Sequence, residues 1–413
     1  MKLDRLLFFL LNCGHFLSHL FMLIFAGVAA LTLSSNWGLS YSELLAYATP
    51  GFAAFGLFAL PAGWLADKWS RGGMMSVFFV GGGLASIATS FARTPTQMGV
   101  GLGAIGLFAA IYHPVGLAIV TSRWKNIGIR LAMNGVWGNL GVASAALVTG
   151  YLIDHGGWRM AFILPGLYSI VCGVLYIGFC QREPGTPPEV VEKEPAQDEN
   201  RAGAASMPRR MSVIVFVTTA VSSIIFQSTT FALPKIFDER LQGISAELLD
   251  GLHHLGLAAN TDIATMVGIF TFTVFALASI AQLVVGMLLD RLGPRLVFIG
   301  AASLQLVFFA AMPGLQEGQA LVVTFGFMLG AFGQIPITDF LIGKMAKGAY
   351  RARVYGMRYV VSFSMLAATL PFISFVYENG GSDMLFRSLS CAALAILVTV
   401  WMLPRNRPTK ERI

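Results

Sequence analysis

The sequence predicts an all-α polytopic membrane protein: twelve transmembrane helices in two pseudo-symmetric six-helix bundles. Three observations carry this expectation. The 413 residues are 56% hydrophobic and only 12% charged, with a mean hydropathy of +0.70, whereas soluble domains carry about 25% charged residues. Apolar runs near the length of about 20 residues needed to cross a bilayer recur along the whole chain. Short charged motifs also repeat between its two halves at a nearly constant offset.

The runs fall at 6–33, 42–66, 73–91, 97–121, 128–153 and 159–180, and then at 211–236, 262–289, 295–313, 319–346, 353–377 and 384–403. They divide the chain into a first half at 1–180, a linker at 181–210, a second half at 211–404 and a tail at 405–413. The basic residues test this map. With the N-terminus inside, 22 of the 28 Lys and Arg fall on the cytoplasmic side, five fall outside, and only Arg358 lies within a span. This bias places both termini in the cytoplasm of a bacterial inner membrane by the positive-inside rule. It also assigns the net charge of +7 to a membrane face rather than to nucleic acid. The first run is too long for the apolar core of a cleavable signal and carries Asn12, His15 and His19 in its middle. The linker, rich in Pro and Glu, is too polar to bury a core. Residues 237–261 form the one long outer loop, where Leu248, Leu249, Leu252 and Leu255 predict a short amphipathic helix. His253 and His254 in that loop lack a third ligand nearby, and the four cysteines show no metal spacing. No metal and no cofactor are therefore expected.

The repeat is read from three landmarks. Gly63 and Gly286 open two charged hairpins, Gly63–Arg71 and Gly286–Arg295, 223 residues apart. Pro114 and Pro336 are 222 apart, and Gly135 and Gly356 are 221 apart. Such near-register implies two halves of parallel topology, related by an axis along the membrane normal. In each hairpin the glycine allows close helix approach. Asp67 and Arg71 in the first, and Asp290, Arg291 and Arg295 in the second, can cap helix ends or bridge neighbours.

With these two hairpins, twelve spans, a central linker and Gly157–Phe162 opening the sixth span, the whole chain resembles the major facilitator superfamily. Gly14-His15-Phe16 and Tyr112-His113-Pro114 are similar to the fosmidomycin-resistance-like branch of efflux proteins. The resemblance implies a secondary transporter working by alternating access, with export favoured. It also implies that the two hairpins shut an inner gate in the outward-facing state. Two departures stand against carrying over drug–proton antiport whole. Gly99–Gly106 lacks the buried arginine usual there, and Asn139 replaces the usual span-5 proline among Gly135, Gly138 and Gly141. The alternatives are an uptake permease of the same fold and a non-transporting membrane receptor or scaffold. An enzyme is not expected, because no nucleophile–base motif is present.

Polar groups within spans are expensive and so mark function. Of the 21 acidic residues only Asp339 lies inside a span. With about 1.5 Å of rise per residue, Asp339 and Arg358 sit roughly 8–10 Å inside the inner boundary and are candidates for an ion pair, static or proton-exchanging. A bond from Arg358 to Asp67 across the half-to-half seam is the other candidate. Asn12, His15, His19 and Met22, spaced 3, 4 and 3, share one helix face. That face is expected to line a wet cavity, where histidine could carry or sense a proton. His113 precedes a mid-span proline that suits a bent, cavity-facing helix. Gln227, Gln334 and Thr338 are the matching contacts from the second half, and Tyr112 completes the set on spans 1, 4, 7 and 10. The Phe and Met stripes elsewhere are read as lipid-facing or packing residues. The expected partners are a small anionic or zwitterionic substrate, protons and the lipid bilayer, with the chain acting as a monomer.

Overall fold

The computed structural model describes residues 2–124, 127–182, 209–256, 261–345 and 348–403. Among them every regular element is a helix. Span 1 is Asp4–Trp37, span 2 Tyr41–Lys68, span 3 Arg71–Thr89, span 4 Pro95–Arg123, span 5 Ile127–Gly156 and span 6 Met160–Arg182. Span 7 is Arg209–Arg240, span 8 Ile263–Leu292, span 9 Pro294–Ala311 and span 10 Glu317–Met345. The last helix, Gly348–Trp401, has 54 residues. At about 1.5 Å per residue it would reach about 80 Å, far more than one crossing of a bilayer core of about 30 Å. Gly380 and Gly381 break it into spans 11 and 12, Gly381 with a left-handed φ of 63° that a side chain would resist. The expected count of twelve crossings thus stands as two six-helix bundles. Most of the linker expected at 181–210, and the whole tail at 405–413, lie outside the described residues.

Local chemistry explains the ends and the bends. Span 2 starts on a capping box, in which the Ser40 side chain accepts from Glu43 N and Ser40 N donates to the Glu43 carboxylate. Ser70 and Thr94 cap spans 3 and 4 in the same sense. Span 4 breaks into Pro95–Ala109 and Tyr112–Arg123. Pro114 has no N–H to offer the Ala110 carbonyl four residues back, so the helix opens at Ala110 and Ile111, just before Tyr112. The amphipathic helix expected in the long loop is Gln242–His254, and span 7 runs four residues beyond its predicted end. The Glu317 carboxylate accepts from Gly243 N and Ile244 N and so closes the first turn of that surface helix.

The two halves meet along spans 2 and 11 and along spans 5 and 8. Taking the end that carries the N-terminus as proximal, the described bonds across this seam are mainly distal. Ser374 Oγ donates to Ser42 O at 2.7 Å, and Tyr41 packs edge-on to Tyr377. The Asp154 carboxylate accepts from Asp262 N at 2.9 Å and Thr265 N at 2.8 Å, and also from the Thr265 hydroxyl. There the backbones nearly touch: a Cβ on Gly150 would stand 2.1 Å from Ala264 O. Midway down, Asn139 Nδ2 reaches Gln282 Oε1 at 3.5 Å. At the proximal end the charged hairpins bond within their own halves. Arg71 donates to Asp67 at 2.9 Å, and Arg295 donates to Trp401 O at 3.0 Å. Asp290 and Arg291 are exposed. Gly63 does allow close approach, since a Cβ there would lie 3.1 Å from Pro114, but Gly286 has open space around it. The close-packing reason for the glycine therefore holds for the first hairpin alone.

Candidate functional site

Between the halves lies a cavity of about 290 Å³, near the lower end of the range of about 300–1,000 Å³ usual for small-ligand pockets. Its wall is built by spans 1, 2, 4, 5, 7, 10 and 11. The first half supplies His19, Met22, Phe52, Phe55 and His113. The second half supplies Ser222, Phe226, Gln227, Gln334, Thr338 and Arg358, with further hydroxyls from Thr219, Ser223, Thr230 and Ser362. Of the sequence candidates, His19, His113, Gln227, Gln334 and Arg358 stand in this wall. Gln334 is fixed there from both ends: Ser222 Oγ donates to its Oε1 at 2.7 Å, and its Nε2 donates to Gln305 Oε1 at 2.7 Å.

Asn12, His15 and Tyr112 do not reach the wall, which corrects the expectation of one continuous lining stripe on span 1. Along that helix the neighbour changes. His19 and Met22 face the cavity, while Asn12 and His15 turn against spans 4 and 5. Asn134 of span 5, which the sequence reading did not single out, is the centre of the joint. Its Nδ2 donates to Asn12 Oδ1 at 2.9 Å and to Tyr112 OH at 2.8 Å, and Tyr112 OH donates on to Leu11 O at 2.8 Å. The Asn134 carbonyl accepts from His15 Nδ1 at 2.7 Å. Gly138, one turn further, leaves room for the ring: a Cβ there would lie 2.6 Å from His15 Nε2. The local signal for Asn134 was an amide inside an apolar run, but only the packing of three spans shows what it binds. Replacing it with Ala removes both amide bonds inside a dry joint, which is expected to cost about 1–3 kcal/mol. Thermal melting checks this. In a double-mutant cycle, adding Asn12→Ala should then cost much less than it does alone.

The joint orients a cluster. His15 and His113 meet edge to face at 5.2 Å, His19 and His113 at 5.3 Å, and the His15 ring stacks on Tyr112 at 4.9 Å. His19 Nε2 lies 3.3 Å from His15 Nε2. Because His15 Nδ1 must carry its proton to bond a carbonyl, its Nε2 holds a lone pair, which accepts from His19 Nε2–H. The aromatic wall is a second correction: Phe52, Phe55 and Phe226 line the cavity instead of merely packing. The Asp339 side chain lies outside the described residues, and with it the expected pair to Arg358. Asp67 is held by Arg71 of its own hairpin.

Comparison with known proteins gives the family and the fold. The model of the Major Facilitator Superfamily matches residues 11–261 and 252–413. A gallate transporter of Pseudomonas putida is 28% identical over 146 residues, which is 35% of this chain and 32% of that protein. The methyl viologen resistance protein SmvA of Salmonella typhimurium is 25% identical over 354 residues, 84% of this chain and 63% of that protein. The matches thus span less than two thirds of these relatives' lengths. The crystal structure of a mutant of the peptide transporter POT superposes with a TM-score of 0.72 at 16% identity, covering 95% of this chain and 93% of that one.

Proposed function

The chain belongs to the Major Facilitator Superfamily, and from that premise we propose that it is a secondary active transporter of the bacterial inner membrane. It carries a small molecule by alternating access, acts as a monomer and catalyses no covalent chemistry. The observation that carries this reading is the cavity between the halves, walled by both of them, beneath a seam bonded at its distal end. The basic-residue bias supports a cytoplasmic proximal end, and on that reading the structure is the state sealed from outside. Among the described bonds, those of the Asp67–Arg71 and Asp290–Arg295 hairpins stay within their own halves while the outer seam is shut. They become the inner latch when the outer seam opens.

The cavity wall narrows the substrate class. Arg358 gives it a cation, Gln227, Gln334 and the serines of span 7 give neutral donors and acceptors, and Phe52, Phe55 and Phe226 give apolar faces. A small anionic or zwitterionic compound with an apolar part fits this chemistry. Asp339, whose backbone follows the lining residue Thr338 in span 10, is the acid that couples transport to protons through Arg358. Export is favoured by the motifs of spans 1 and 4, and methyl viologen resistance in a relative supports the same direction.

The test uses purified protein in liposomes with a trapped pH dye and an imposed pH gradient. A panel of anionic, zwitterionic and cationic compounds is added in turn. An anionic or zwitterionic compound is expected to dissipate the gradient, and Asp339→Asn to reduce that flux at least tenfold. If no compound moves protons while some still stabilise the protein against heat, proton coupling is lost as an explanation, and exchange of bound compounds replaces it.

A further inference from the structure

We propose that His15, His19 and His113 form a binding site for one divalent d-block cation of the zinc class, with its remaining coordination position open to the cavity. Ligand placement is the first argument. One ring nitrogen from each of the three residues lies within 4.8 Å of the others. The His15 and His19 Nε2 atoms are 3.3 Å apart. A tetrahedral ion with metal–nitrogen bonds near 2.0–2.1 Å separates its ligands by about 3.3–3.4 Å, so this pair already has the spacing, and His113 needs only a small ring movement.

Around the cluster the structure supplies what such a site requires. A metal-bound imidazole ordinarily donates its other N–H to a carbonyl or carboxylate, which fixes the tautomer. His15 Nδ1 makes that bond to Asn134 O at 2.7 Å and keeps the Nε2 lone pair turned toward His19, whose ring proton moves from Nε2 to Nδ1 when the ion displaces the hydrogen bond between them. Tyr112 stacks on one face of His15, and the absent side chain of Gly138 leaves the Nε2 edge open. His19 and His113 are both in the cavity wall, which gives the ion an entry path. Three neutral imidazoles favour zinc-like ions over magnesium or calcium, which require oxygen ligands. His19 and His113 share the cavity wall with hydroxyl and amide side chains, so water or another oxygen donor from the cavity would complete the shell.

The binding does not depend on the transport reading and is tested without it. Tag-free full-length protein, stripped with chelator, is titrated with Zn²⁺ by calorimetry and with Co²⁺ by visible absorption. One ion per chain is expected, with an intense tetrahedral cobalt band. His19→Ala and His113→Gln should each weaken binding at least tenfold. The remaining histidines are His155, His253 and His254, and replacing the exposed pair by H253A and H254A should leave the binding as it was. Zinc-edge X-ray absorption on the unsubstituted protein reads the ligands independently of any folding defect and should show three imidazole nitrogens near 2.0 Å. Absence of binding, equal affinity in the His19 and His113 variants, or fewer than three imidazoles overturns the site.

Discussion

Gly150→Val is expected to hold the distal seam apart and to slow transport by about fivefold to 150-fold. Gly150 faces the start of span 8 across the boundary between halves, and a Cβ there would stand 2.1 Å from the backbone oxygen of Ala264. Backbone cannot swing aside as a flexible side chain can, so the halves must separate at this point. Separation strains the bonds from Asp154 to Asp262 and Thr265, only a few residues away. Overpacking of this kind costs about 1–3 kcal/mol. Imposed on one of two alternating states, it shifts their ratio by about fivefold to 150-fold. The measurement pairs initial flux with labelling of Thr265→Cys by a membrane-impermeant thiol reagent, after Cys13, Cys172, Cys180 and Cys391 are replaced by Ser. Thr265 is buried in the closed seam and should react slowly in the parent and fast in the valine variant. Gly135, on the same span, has open space around its Cβ position. Gly135→Val should therefore leave both readouts near the parent. If Gly150→Val transports at the parent rate with Thr265→Cys still protected, the seam is not the outer gate.

Arg240→Met is expected to be the most destabilising single substitution in the second half. Arg240 ends span 7 with 4% exposure, although its charge alone reads as that of a loop residue. One guanidinium nitrogen donates to the Met312 and Leu315 carbonyls at 2.9 and 2.8 Å. The other donates to Ser382 Oγ at 3.0 Å and pairs with Asp383. The group thus ties span 7 to the span 9–10 turn and to the glycine break between spans 11 and 12, and it also lies over the Phe386 ring. Methionine can fill the volume but leaves the Met312 and Leu315 carbonyls without this donor, whereas Asp383 still accepts from Gly314 N. Leaving buried carbonyls without a donor costs about 1–3 kcal/mol, the half-exposed Asp383 adding little because water screens it, and a melting temperature lower by about 2–6 °C follows at about 2 °C per kcal/mol for a chain of this size. Lysine should restore only part of this loss, because one ammonium cannot reproduce the planar fork. A melting temperature unchanged in Arg240→Met would mean that the distal turns hold together without this tie.

The sequence by itself determined the architecture, because each of its signals is local. Run length and composition locate the spans, including the gap between 353–377 and 384–403, Pro114 marks a break, and the 221–223 residue offsets expose the repeat. Hairpin charges and the leucines of Gln242–His254 are likewise read in a single window. The site could be read only in part. A stripe at spacings of 3 and 4 names one face of a helix but not its neighbour, and span 1 has different neighbours along its length. His19 thus meets the cavity, while Asn12 and His15 meet Asn134. The cluster of His15, His19 and His113 joins residues about 94 positions apart. It forms because the Pro114 break and the small residues of span 5 bring spans 1, 4 and 5 together. Phenylalanine has the same hydropathy against lipid, in a core or on a cavity wall, so Phe52, Phe55 and Phe226 gained their role from packing alone. Arg240 follows the same logic. Its charge predicts exposure, and burial is tolerated only where two separate turns converge on one guanidinium.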